Sequence, residues 1–172
     1  KQKKIKKKRL ILSITIAIFL IGILLIIYLN SKFIKFQEDG NSVFSLENYS
    51  KIEVGVNNNV IILKNECRAI IVNVPDERAQ YISLALQNKT DIRPSIYDST
   101  YEILNYFDIE IGFVKIEKME NNIYYSKAVF STNDKILNLD MRPSDAMVLA
   151  IKQNKPIYIN NSLLESYGQN IC

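Results

Sequence analysis

Twenty uncharged residues near the N-terminus form the most prominent hydrophobic run of the chain. Residues 10–29 read LILSITIAIFLIGILLIIYL, and no polar face interrupts them. A helix of this length rises about 30 Å, which matches the hydrocarbon thickness of a bilayer. A buried core helix is the alternative, but the helices of a small domain normally keep one polar face. The pattern therefore predicts one transmembrane helix over residues 10–29.

The charges that flank this run predict its orientation. Residues 1–9 contain seven of the 22 Lys and Arg residues and no acid, whereas residues 10–172 carry 15 basic and 18 acidic residues. The positive-inside rule then predicts a basic cytosolic tail over residues 1–9, an uncleaved signal anchor in the cell membrane and an extracytoplasmic domain. A cleaved signal peptide and an inverted topology, with the domain in the cytosol, are the alternatives.

The remaining residues divide into a linker, over residues 30–47, and one domain, over residues 48–172. Short runs of β-branched residues alternate in the domain with segments of helical periodicity. This interspersion predicts an α+β fold with one mixed β-sheet and three to four helices. The predicted strands cover residues 51–56, 60–64, 67–74, 109–119, 123–131, 135–141 and 157–159, and the predicted helices cover residues 75–88, 95–107, 144–153 and 162–167.

The second predicted helix has separate apolar and polar sides, which is typical of an amphipathic helix that packs on the core through its apolar side. The apolar positions, at helical spacing, are Ile96, Thr100, Ile103, Leu104 and Phe107, and the other side carries Asp98, Glu102 and Asn105.

Composition excludes several kinds of site. The chain has no histidine, so a histidine general base, a histidine metal ligand and a Ser-His or Cys-His pair are all absent. Its two cysteines, Cys67 and Cys172, are too few to form a zinc site alone. In an exported domain they would meet an oxidising compartment, but the sequence leaves open whether they pair. Without the basic tail the net charge is −3, so attraction to phosphate would have to be local.

The segment LDMRPSDAMVLAI, residues 139–151, is the strongest local motif. Ser144 is a favourable N-cap residue, and Asp145 in the first turn complements the helix dipole. From these residues alone, the segment reads as a capped core helix in which Arg142 pairs with Asp140 or Asp145.

With this motif in place, the chain resembles the bifunctional nuclease family over about residues 50–170. The motif carries the family's Asp-x-Arg-Pro-Ser-Asp-Ala element, and the other segments follow in the family's order. Those segments are IEVGVNNNVIILK (52–64), VPDERAQYISLAL (74–86), DIRPSIYDSTYEIL (91–104), NNIYYSKAVF (121–130), KPIYI (155–159) and LLESYG (163–168).

The resemblance implies nuclease activity on RNA and DNA, and it marks a set of acids at motif positions. These acids are Glu77, Asp98, Asp140 and Asp145, which we take as candidate catalytic residues. Hydrolysis of a phosphodiester without histidine usually relies on a divalent metal held by carboxylates. We therefore expect Mg²⁺ or Mn²⁺ at Asp140 and Asp145, while Arg93 and Arg142 are candidate phosphate ligands.

One departure from the family weakens this transfer of activity. The family usually has a His-Asp pair at the start of the second helix, where this chain has Tyr97-Asp98. Two hypotheses follow. The first is a membrane-anchored, metal-dependent nuclease that binds nucleic acid. The second is a non-catalytic binding or assembly module of the same fold at the cell surface. Either protein could form homo-oligomers.

Overall fold

A computed structural model describes residues 18–26, 28 and 43–172, and it divides the chain into two compact units, Lys1–Ser45 and Leu46–Cys172. In the first unit residues 18–26 are helical and most of their apolar side chains are exposed. No helix in the described ranges is both long and apolar enough to cross a bilayer. Residues 10–17, 27 and 29 of the predicted transmembrane helix lie outside the described residues. The basic tail and most of the linker lie outside them as well.

The second unit has the predicted α+β fold, and each predicted element begins and ends within two residues of the observed one. Period-two and helical patterns are local properties, which explains this agreement. One short strand at the C-terminus was not predicted. The elements are β1 (Tyr49–Asn57), β2 (Val60–Asn65), β3 (Arg68–Asn73), α1 (Asp76–Leu86), α2 (Ile96–Tyr106), β4 (Glu110–Glu120), β5 (Ile123–Ser131), β6 (Ile136–Met141), α3 (Pro143–Lys152), β7 (Ile157–Asn160), α4 (Asn161–Tyr167) and β8 (Gln169–Asn170).

The strands form one mixed sheet in the order β6-β5-β4-β7-β1-β2-β3-β8. Strand β7 is parallel to β4, with Val114 opposite Ile157, and antiparallel to β1. The chain reaches β7 from β6, at the edge of the sheet, by way of α3. This crossover lays α3 over the middle of the sheet, and the N-terminal end of α3 is where the candidate site lies.

Helix α3 is the centre of the core. The consecutive residues Ala146–Ala150 are all buried, so this part of the helix is covered on every side. It packs on β4 and β5 from one side and on α1 and α2 from the others. Residues Val114 and Ile116 of β4 and Ile159 of β7 are fully buried in the same core.

Helix α2 follows its pattern only in part, because Leu104 is buried and Glu102 and Asn105 are exposed, but other positions are reversed. Ile96, Ile103 and Phe107 are 72%, 55% and 63% exposed, whereas Asp98 is only 6% exposed. The reason is a partner from another element, because the carboxylate of Asp98 binds the ammonium of Lys152 in α3. A buried ion pair with further hydrogen bonds therefore holds Asp98 inward, against the pattern.

The start of α3 also differs from the prediction, because Arg142 rather than Ser144 occupies the N-cap position. Pro143 is the first helical residue, a position that suits proline because the N–H it lacks would have no helical partner there. The backbone N–H groups of Asp145 and Ala146 both donate to the Arg142 carbonyl. The hydroxyl of Ser144 is thereby free for other partners. The related Arg-Pro-Ser segment before α2 is used differently, since Ser95 is the true N-cap of that helix.

A disulfide between Cys67 and Cys172 joins the C-terminus to the sheet. Cys67 precedes β3 and Cys172 follows β8, and these two strands are hydrogen-bonded neighbours. The Cα atoms lie 5.1 Å apart, within the range that a disulfide spans. The bond closes a sequence separation of 105 residues, which includes every element from β3 to β8.

We expect the double substitution of Cys67 and Cys172 by serine to lower the free energy of unfolding by about 2–5 kcal/mol, because the bond restricts a long loop of the unfolded chain. Urea unfolding of the two proteins measures the difference. The oxidised protein treated with a reductant is the control, and it should fall to the stability of the double variant. Equal stability of the oxidised protein and the double variant would contradict the prediction.

Gly168 ends α4 at a point where the chain has no room for a side chain. Its N–H donates to the Leu164 carbonyl at 3.0 Å, and a Cβ on Gly168 would overlap that same carbonyl oxygen. The constraint is a close backbone approach, since the backbone angles of Gly168 are open to any residue.

Gly168→Ala should therefore destabilise the domain by about 1–3 kcal/mol, the usual cost of forcing extra volume into a packed site. Gly55→Ala is the matched control, because a Cβ at Gly55 meets nothing closer than 3.8 Å. Thermal unfolding followed by circular dichroism compares the two variants. A loss at Gly55 as large as the loss at Gly168 would refute the steric explanation.

Candidate functional site

The N-terminal end of α3 brings together residues from three helices. The hydroxyl of Tyr97, in the first turn of α2, donates to Oδ1 of Asp145 at 2.8 Å. Burial and this hydrogen bond raise the pKa of Tyr97 to about 12. Tyr97 is therefore protonated at neutral pH, and it acts as a fixed hydrogen-bond donor to the carboxylate. The residue that replaces the family's histidine is thus in contact with one of the predicted catalytic acids.

A second line of contacts connects Glu77 to the same place. The hydroxyl of Tyr81 donates to Oε1 of Glu77 at 3.2 Å, one turn away on α1. The ring of Tyr81 meets the ring of Tyr97 edge to face, with centroids 5.0 Å apart. Two tyrosines therefore connect Glu77 with Asp145, and the structure brings these two predicted acids into one neighbourhood.

Arg78 is a site residue that the sequence reasoning missed. Its guanidinium donates to Oγ of Ser144 at 2.9 Å, and the Ser144 hydroxyl lies 3.3 Å from Oδ1 of Asp145. Because Arg78 follows Glu77 in the first turn of α1, only the packing of α1 against α3 brings it here. The available signal was its position in the segment that resembles the first helix of the family.

A cavity of about 370 Å³ opens beside this cluster. Arg78, Arg142 and Ser144 lie along it with Tyr124 of β5, and the rest of its wall is apolar. Arg142 is exposed at its rim, at the N-cap of α3. The apolar wall includes Ile61, Leu63, Val72, Val74, Ile116 and Met147. An apolar pocket with a few convergent polar groups is the usual form of a small-molecule site.

Asp98 lies at the other end of α3 and is fully engaged in the fold. Its Oδ1 accepts from Nζ of Lys152 at 2.6 Å, and its Oδ2 accepts from the backbone N–H and the hydroxyl of Ser95. Burial works against ionisation of Asp98, but the hydrogen bonds from Lys152 and Ser95 outweigh it and hold the pKa of Asp98 below its usual range. The structure places this predicted catalytic acid in a buried ion pair.

The two remaining predicted site residues are exposed and stand apart from the Tyr97–Asp145 contact. Asp140 lies on the edge strand β6, where its register partner is Lys127 of β5. Arg93 precedes the N-cap of α2 and is exposed to solvent. The structure gives neither residue a hydrogen bond to Asp145 or Tyr97 in the described part of the chain.

The donor set at this site does not fit a protein-held metal centre. Within residues 18–26, 28 and 43–172, no three His, Cys, Asp or Glu side chains lie close enough together to hold a metal ion. Oδ1 of Asp145 already accepts from Tyr97, and Asp98 is paired with Lys152. No reaction step at this site is therefore assigned to a metal ion.

The comparisons with known proteins point to one family. The family model described as "Bifunctional nuclease domain" matches residues 60–171. A rice protein (Oryza sativa subsp. indica) named "Bifunctional nuclease 1" is 30% identical over 87 residues, which are 49% of this chain and 26% of the rice protein. The Arabidopsis thaliana protein of the same name is 27% identical over 90 residues, 51% of this chain and 28% of its own length.

A bacterial relative covers more of both chains. An uncharacterised protein of Mycobacterium tuberculosis is 24% identical over 120 residues, which are 69% of this chain and 71% of that protein. The plant proteins are much longer than their matched parts, since the alignments span about a quarter of their length. The family match covers the whole sheet except β1, and it includes every residue of the candidate site.

The Asp98–Lys152 pair generates a pH prediction. Asp98→Asn should lower the free energy of unfolding at pH 7 by about 3 kcal/mol, because the ammonium of Lys152 would lose its buried partner. The folded-state pKa of Asp98 is depressed, so its stabilisation is present above the unfolded pKa of about 4 and is lost as pH falls through the folded pKa. Urea unfolding at pH 7 and at steps below pH 4 measures both effects.

Glu110→Gln is the control for this prediction. It removes a pair of almost the same length, Lys155–Glu110 at 2.7 Å, whose carboxylate is mostly exposed. The loss should be much smaller than at Asp98, because water solvates both charges of an exposed pair. If the two variants lost equal stability, or if Asp98→Asn kept the full pH dependence below pH 4, the assignment would be wrong.

Proposed function

This chain belongs to the bifunctional nuclease domain family, and from that premise we propose that it cleaves phosphodiester bonds of RNA or DNA at the N-terminal end of α3. The observation that carries the proposal is the meeting of Arg78, Ser144, Asp145 and Tyr97 beside a cavity with Arg142 at its rim. The plant relatives named as bifunctional nucleases support the choice of reaction.

Substrate binding follows from the cations and the helix end. Arg78 and Arg142 present guanidinium groups that hydrogen-bond phosphate oxygens, singly or in pairs. The N-terminal end of α3 adds the positive end of the helix dipole. The apolar cavity beside them accepts a base, and Tyr124 offers a ring on which the base can stack. Such stacking tolerates any base, which agrees with action on both RNA and DNA.

Asp145 is the proposed general base. Its carboxylate would take the proton from the attacking oxygen, which is a water molecule or, in RNA, the neighbouring 2′-hydroxyl. As that oxygen bonds to phosphorus, the P–O bond to the leaving nucleotide breaks, and a solvent water protonates the leaving oxygen. Tyr97 holds the carboxylate in place by donating to Oδ1, and its raised pKa keeps it in the donor form. We propose that this tyrosine orients Asp145 in a role for which an imidazole N–H would also serve. The proposed step uses neither Glu77 nor Asp140, which remain candidate catalytic acids. Arg93 is a candidate phosphate ligand outside the cluster.

The location of the domain is a further part of the proposal. The uncharged run over residues 10–29 and the basic tail over residues 1–9 support a signal anchor with the domain outside the cytosol. The Cys67–Cys172 disulfide supports the same topology, since structural disulfides persist in oxidising compartments.

A non-catalytic binding module is the second candidate function, and two observations favour it. Asp98 is held in an internal ion pair, and no residue of the chain is a histidine. In this case the arginine-lined cavity would bind an anionic ligand without cleaving it. The two functions predict different results in one assay.

The experiment uses the full chain, purified in mild detergent with its disulfide intact, and single-stranded RNA and DNA oligonucleotides. We expect cleavage by the unmodified protein and a reduction of at least about 100-fold in kcat for Asp145→Asn, the usual minimum for loss of a general base. Arg78→Ala should raise KM, because it removes a phosphate ligand. Parallel reactions with Mg²⁺, with Mn²⁺ and with a chelator test the expected metal.

Asp108→Asn is the matched control. It is the same chemical change at the far end of α2, at a position with positive φ (52°) that asparagine tolerates well. Its activity should equal that of the unmodified protein. Full activity of Asp145→Asn would refute the assigned base. Absence of cleavage under every metal condition, together with oligonucleotide binding that Arg78→Ala weakens, would instead establish the binding module.

A further inference from the structure

The exposed side of α2 continues into an apolar groove at one edge of the domain. Ile103 and Phe107 are exposed, as is Tyr106, at 82%. Next to them a groove of about 330 Å³ runs between the C-terminal end of α2 and strand β6. Its apolar wall is formed by Leu104, Ile109, Phe130, Leu137 and Leu139. Contiguous apolar surface of this kind marks an interaction site.

The groove borders an open edge of the sheet. Strand β6 ends the strand order, and β5 is its one neighbour in the described part of the chain. Ile136, Leu137 and Leu139 of β6 are 57%, 55% and 41% exposed. At the opposite edge the two-residue strand β8 pairs with Arg68 and Ala69 of β3 and is tied down by the Cys67–Cys172 bond. A six-residue edge strand with an apolar surface is a template for pairing with another strand.

We propose that β6 pairs antiparallel with β6 of a second copy of this chain, around a two-fold axis that passes through Asn138. This axis stands perpendicular to the sheet. A rotation of 180° about it reverses the direction of β6, so the two copies of the strand run antiparallel side by side. In an antiparallel pair, two residues directly opposite each other point to the same face of the sheet. The symmetric register must therefore place one residue opposite its own copy, and it cannot be centred between two neighbouring residues. The proposal shares Arg142 with the proposed phosphate site, but it does not depend on cleavage activity.

The charges along β6 and its flanks select this register. Centred on Asn138, Leu137 faces Leu139 of the second copy, and Asp134 faces Arg142 of the second copy, each twice by symmetry. Centred on Leu137, Asp134 would face the like-charged Asp140. Centring on Leu139 would leave no pair of opposite charges, whereas the Asn138 register keeps Asp134 against Arg142 although it also sets Ile136 against Asp140. Cross-strand pairs of leucines and of opposite charges stabilise a sheet, whereas directly opposed like charges destabilise it.

Two further features of the edge fit this arrangement. The side-chain oxygen of Asn138 is buried and has no hydrogen-bond partner in the described structure. On the proposed axis a second carboxamide stands beside Asn138, and rotation of the Asn138 side chain toward it would give this oxygen an N–H donor. The perpendicular axis also keeps the helices of both copies on one face of the joined sheet. Leu137 and Leu139 of both copies then close the two grooves beneath the exposed ends of α2.

A pair of cysteine substitutions tests the register in the full chain, in mild detergent and with the native disulfide intact. Asn138→Cys places the two new thiols opposite each other, about 5 Å apart between Cα atoms. Mild oxidation should convert most of this variant to a covalent dimer. Ile136→Cys is the matched control on the same strand and face, because its thiols would be about 14 Å apart along the strands. It should remain uncrosslinked.

A charge exchange provides the second measurement, by sedimentation velocity over a range of concentrations. Asp134→Arg should raise the dimer dissociation constant a few-fold to about tenfold, and adding Arg142→Asp should reverse the rise. Leu139→Lys should give monomers that keep the circular dichroism spectrum of the unmodified protein, since Leu139 is partly exposed. A monomeric unmodified protein, equal crosslinking of both cysteine variants, or no rescue by the second charge change would overturn the proposal.

Discussion

The burial of α3 is the constraint on which the rest of the domain depends. Five consecutive side chains, Ala146–Ala150, are removed from solvent because the helix lies on β4 and β5 and beneath α1 and α2. A helix covered on all sides has few alternative orientations, so the positions of its two ends are determined by packing. The crossover through α3 also places β7 between β4 and β1, and thereby joins the two antiparallel parts of the sheet.

The two ends of α3 then carry different polar arrangements. At the C-terminal end Lys152 meets Asp98, and the pair holds the first turn of α2 against α3. At the N-terminal end Asp145 meets Tyr97 from the same helix α2, while Arg78 from α1 reaches Ser144. The ion pair that orients α2 therefore also brings Tyr97 to the candidate site. A defect at Asp98 would reach the site directly, because Asp98 follows Tyr97 in the first turn of α2.

The inward position of Asp98 also affects the outer surface of α2. Its apolar residues Ile96, Ile103 and Phe107 remain in solvent, beside the open edge strand β6. In the proposed dimer this surface lies beside the joined strands, so the same ion pair that organises the site also shapes the interface. In this domain the buried Asp98–Lys152 ion pair is the reason that several apolar residues of α2 stay exposed.

Local sequence patterns determined the elements of this protein, and tertiary contacts determined how those elements are used. Alternation, helical spacing and turn residues act over a few neighbours, so the seven longer strands and all four helices of the domain were predictable to within two residues, and the family could be recognised from its motifs. The contacts of Tyr97 with Asp145, Arg78 with Ser144, Asp98 with Lys152 and Cys67 with Cys172 join residues 48 to 105 positions apart. No local pattern encodes such contacts, because they depend on the packing of whole helices around α3. Helix α2 shows the limit most clearly: its pattern placed Asp98 on the polar side, and a lysine 54 residues away made that carboxylate a buried one.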